Sequence, residues 1–72
     1  SGRELTTLVN KLLFAKKKEA WLASAGDTAL RKDLARQMLE MIPAQVQNRA
    51  MDPVAARNLE RELQADLTVG AH

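Results

Sequence analysis

Glu62 and Asp66 stand four residues apart, so on a helix their carboxylates share one face. Paired carboxylates are the raw material of a divalent-cation site or of general acid–base chemistry. With Glu60 close by they still make a poor site, because no histidine accompanies them and a hard cation needs more oxygen ligands than they supply. Ser24 is the other candidate, as a nucleophile. It has no usable base, since the sole histidine is His72, the last residue. Cysteine is absent. The chemistry thus points away from an enzyme, and no metal, cofactor or small-molecule substrate is expected.

Recognition chemistry is better represented. Phe14 and Trp21 are the only aromatic residues, with Lys17 and Lys18 between them. The set falls at i, i+3, i+4 and i+7, one face of a helix. Three roles fit this face. As a partner or dimer surface, the aromatics would anchor and the lysine stems would shield them. As a single-stranded nucleic-acid surface, the rings would stack bases while ammonium groups neutralise phosphates. As plain core, Phe14 and Trp21 would pack against the last helix of the fold.

A second apolar stripe, Leu5, Leu8, Val9 and Leu12, lies on the same helix. At about 100° per residue it points to roughly the opposite side from Phe14. One helix of a small domain normally buries one stripe. The leucine stripe is expected to be consumed by the fold, leaving the aromatic–lysine face for a partner. A membrane-surface role, which would need more apolar residues to insert, is set aside.

These side chains must be positioned by helices. Leucine and alanine dominate the apolar residues, valine is sparse, Ile42 is the only isoleucine, and tyrosine is absent. Helix one is expected from about Arg3 to Ser24, with Gly26 as a left-handed cap and Asp27 as the N-cap of helix two. So tight a turn implies antiparallel neighbours. Helix two should bury Leu30, Leu34, Met38 and Met41, with Ile42 at the edge and Leu39 pointing elsewhere. Pro43 lacks an amide hydrogen and should stop or kink it. Residues 43–50 then form a short segment carrying Val46 and Ala50 inward, or a kinked continuation. Asp52-Pro53 is a start signal for a last helix, with Met51 as its staple and Ala56, Leu59, Leu63 and Leu67 as its stripe. Arg36 with Glu40, and Arg57 with Glu60, read as surface helix pairs.

The expected architecture is all-α, a small bundle of three main helices with a short helical elbow after Pro43. Residues 1–72 make one helical domain, with 68–72 as a frayed tail and Ser1-Gly2 read as a cleavage scar. A chain this short buries only about 60% of its unfolded surface, so its own core is marginal. Without disulfides or a metal, self-association is the remaining source of stability. The lack of cysteine and of an early apolar segment fits a cytoplasmic protein.

Charge is uneven. Residues 1–32 carry seven basic side chains against three acids, and residues 33–72 four against six. Such a field can draw polyanions. The functional expectation is a non-enzymatic interaction or regulatory module, a homo-oligomer or bound to a protein partner through Phe14, Lys17, Lys18 and Trp21. The alternative is a small basic nucleic-acid-binding protein, a transcriptional or accessory regulator, using Lys11, Lys16, Lys17, Lys18, Arg31 and Lys32. A helix-turn-helix over 28–51 is disfavoured, because it lacks the usual turn glycine and its second segment carries one basic residue.

Overall fold

The computed structural model describes residues 2–69, in three helices. The first, α1, spans Gly2–Ala23 and is built from leucine, alanine, lysine and glutamate with no proline. It ends through Ser24 rather than Gly26. The Ser24 amide and hydroxyl both donate to the Trp21 carbonyl, at 3.2 and 2.7 Å. Gly26 does not adopt the expected left-handed backbone, and a Cβ there would meet open space. The buried serine satisfies the helix end, so the glycine is not needed for a cap.

Asp27 is the N-cap of α2, as expected, and its Oδ1 accepts from the Leu30 amide at 3.1 Å. Helix α2 spans Thr28–Gln47 and runs through Pro43 without a separate elbow. The proline removes one hydrogen bond of the ladder, yet Ile42 and Gln45 on either side of it are buried. Packing therefore holds the backbone helical where local chemistry would break it. The helix stops about one turn later, at Gln47, in a Schellman motif. Arg49 takes a left-handed φ of 60°, its amide donates to the Val46 carbonyl at 3.0 Å, and the Ala50 amide donates to Gln45 at 2.8 Å.

Helix α3 spans Pro53–Thr68. Asp52 caps it through Oδ2, which accepts from the amides of Val54 and Ala55 at 3.0 and 3.1 Å, and Pro53 begins the first turn. Thr68 belongs to the helix instead of the tail. Ser1 and residues 70–72, including His72, lie outside the described residues.

The chain goes up, down and up, with α2 in the middle and packed by both neighbours. The core is Phe14 and Trp21 from α1, Leu34, Ala35, Met38 and Ile42 from α2, and Ala56, Leu59 and Leu63 from α3. Being contacted from two sides widens the buried arc of α2. Leu39, expected to point away, packs against the core together with Met41, Val46, Met51 and Leu67. Leu30, expected inside, is exposed in the first turn of α2. No helix among the described residues is long and apolar enough to cross a membrane.

The register of α1 on α2 decides what is left uncovered. Lys17 Nζ donates to Gln37 Oε1 at 2.6 Å, and Gln45 Nε2 reaches the Asn10 carbonyl at 3.4 Å. Toward the N-terminus α1 continues from Asn10 to Gly2, whereas α2 ends at Gln47. The first turns of α1 therefore extend past the end of their neighbour. The long axis of 46 Å, against about 33 Å for a 22-residue helix at 1.5 Å per residue, reflects this stagger.

Candidate interaction surface

The two faces of α1 have exchanged the roles expected of them. Phe14 is 5% exposed and Trp21 4%, both inside the monomer core. Leu5, Leu8, Val9 and Leu12 are 50–64% exposed. The side facing α2 runs Thr7, Asn10, Phe14, Lys17, Trp21 and Ser24, each at least partly buried. Each aromatic buries more apolar area than any single aliphatic residue opposite, and α2 covers only the C-terminal two-thirds of α1. Among the expected interface residues, Phe14 and Trp21 are thus corrected to core. Lys17 is held at the α1–α2 contact, leaving Lys18 as the exposed member of that set.

Trp21 is fastened from both neighbouring helices. Its Nε1 donates to Asp66 Oδ2 of α3 at 2.6 Å. Arg31 of α2 donates from Nε to the same oxygen at 3.0 Å and from Nη1 to the Trp21 carbonyl at 3.0 Å. The guanidinium also lies over the indole, 4.5 Å from its centroid, a cation–π contact. Asp66, read in sequence as half of a poor cation site with Glu62, is the acceptor that joins three helix ends. The sequence separations of 35 and 45 residues leave no local signal for this clamp. Among the described residues, no three acidic, histidine or cysteine side chains gather to hold a metal.

The basic residues do not converge. Lys17 passes its charge through Gln37 to Asp33, since Gln37 Nε2 donates to Asp33 Oδ2 at 2.8 Å. Asp33 also draws Arg36, at 3.6 Å, away from the expected Glu40. Arg31 is committed to the clamp. Lys32 is half-buried beside a cleft of about 200 Å³ also lined by Ala25, Thr28, Arg31, Asp66 and Val69. Lys11, Lys16 and Lys18 are exposed. Lys11 and Lys18 flank the leucine stripe on one side, while Lys16, four residues after Leu12 and seven after Val9, continues the line of the stripe itself.

What remains open on α1 is an aliphatic strip with Lys11 and Lys18 along one edge and Lys16 in its own line, and Leu22 exposed further along the helix. Leu13, at 47% exposure, broadens it on one side. The strip has no nucleophile, acid–base pair or ligand set, so its chemistry is apolar contact with an electrostatic rim. That is the composition of a protein contact surface, with an apolar centre and a polar edge. Comparisons with protein-family models, curated proteins and solved structures gave no match to this chain.

Proposed function

We propose that this chain is a non-enzymatic interaction module whose binding surface is the outer face of α1, centred on Leu5, Leu8, Val9 and Leu12. The observation that carries the reading is the exposure of four large aliphatics on a helix whose opposite face already fills the core. Scattered surface leucines need no explanation, but a contiguous stripe costs solubility and is characteristic of a contact site. The reading keeps the interaction module expected from sequence and moves its surface to the other side of the helix.

Photo-crosslinking tests it. A benzophenone amino acid at Leu12 should give protein adducts in the cells that make the chain, and Leu8→Asp should abolish them. The same group at Gln64, exposed on α3, is the control. Adducts with nucleic acid alone, weakened steeply by salt, would transfer the function to Lys11, Lys16 and Lys18. Equal adducts from both positions would leave the outer face with no special role.

A further inference from the structure

We propose that residues 2–9 of α1 form a conformational unit that unwinds and rewinds while the rest of the chain stays folded. This goes beyond the interaction reading above and is tested without a partner. Burial, bonding and composition all point to it. None of these residues is buried, and only Thr7 is partly so. No core residue, and no partly buried apolar residue packed against the core, comes from α1 ahead of Phe14. Thr6 and Thr7 turn their hydroxyls back on their own helix, donating to the carbonyls of Gly2 and Arg3 at 2.9 and 3.0 Å. The hold of α2 on α1 is secured at Asn10, whose carbonyl Gln45 reaches at 3.4 Å, and then at Phe14 in the core.

The composition of the segment does not make up for this. Gly2, Thr6, Thr7 and Val9 are all weak helix formers. In threonine and valine the branch at Cβ restricts the side chain against the preceding turn. The back-bonded hydroxyls add little, because they share carbonyls that the helix ladder already uses.

Helices in a folded protein are held mostly by the face they bury. From Asn10 onward α1 has such a face, with Phe14, Lys17, Trp21 and Ser24 at least partly buried. Ahead of Asn10 it relies on its own ladder, so opening there costs far less than unfolding the whole chain. The joint falls between Val9 and Asn10. Leu5, Leu8 and Val9 travel with the unit, and Leu12 sits on the fixed side. The outer strip of α1 is therefore continuous only when the unit is wound. Unwinding takes Leu5, Leu8 and Val9 out of the strip and leaves the core untouched, so this surface is assembled and dismantled without unfolding the chain.

Amide hydrogen exchange on the dilute full chain tests the joint. A helical amide donates to the carbonyl four residues back. Unwinding through Val9 frees the carbonyls of residues 2–9 and so exposes the amides of residues 6–13. Protection of those amides should be lower, by on the order of a hundredfold or more, than protection of residues 14–21. Equal protection on both sides of that step overturns the proposal. Thr6→Ala should raise protection at residues 6–13 by roughly threefold and leave it unchanged beyond Phe14. Thr6→Pro should release the turn before it, with Trp21 emission and the urea midpoint unchanged. If Thr6→Pro instead lowers the midpoint as a core change does, the segment belongs to the cooperative unit and the proposal fails. Cross-linking at Leu12 bears on the interaction reading alone, so the two fail separately.

Discussion

Asp66 Oδ2 accepts from two donors that come from two other helices, the indole N–H of Trp21 and the guanidinium of Arg31. Removing the carboxylate leaves both donors without an acceptor at a half-buried position, which costs more than losing one bond. Asp66→Ala is therefore expected to destabilise the chain by about 1–3 kcal/mol in urea unfolding. Trp21→Phe keeps most of the ring area and loses the same bond, so the double variant should cost less than the two single changes together. Strict additivity would show that the clamp is not a unit. Trp21→Ala is a different matter. Deleting a buried aromatic costs about 3–5 kcal/mol, enough to unfold so small a domain. Loss of helix content in that variant would be the direct sign that this ring is core.

At the scale of the elements, the turns behave contrary to their residue types. Gly26 occupies no left-handed position, whereas Arg49 does. Gly26→Ala is expected to be neutral or to stabilise by up to about 1 kcal/mol, through a less flexible unfolded chain. Arg49→Gly should stabilise by roughly 0.5–1 kcal/mol, because it relieves a Cβ in the left-handed region. A loss of stability from Gly26→Ala would return that glycine to a capping role. Both changes are read as shifts in thermal midpoint. Pro43 illustrates the same competition inside a helix: its flanks, Ile42 and Gln45, are buried against the neighbours and hold α2 continuous.

For the molecule as a whole, self-association through the outer face of α1 would link stability to concentration. Dimers that form from folded monomers raise the apparent midpoint as protein is added. In that case the thermal midpoint climbs over a hundredfold range of concentration, by a few degrees for about 1 kcal/mol. Leu8→Asp should flatten that slope. Trp21 emission should be blue at every concentration, because the indole is inside the monomer. A red shift on dilution at constant helicity would instead place the indole at the association surface.

The all-α class, the Asp27 and Asp52 caps, the Pro53 start and the buried Ala56–Leu59–Leu63 stripe were legible in the sequence. Each depends on residues within about one or two turns of one another, where side-chain chemistry and helical period suffice. The two apolar faces of α1 were equally legible. Which face goes inside was not. That depends on where α2 lies along α1, set by contacts such as Lys17–Gln37 and Asn10–Gln45 between residues 20 and 35 apart. The Trp21–Arg31–Asp66 clamp and the passage of α2 through Pro43 have the same origin. Local sequence proposes helices and their faces, and only long-range packing selects which face is buried and which local preference is overruled.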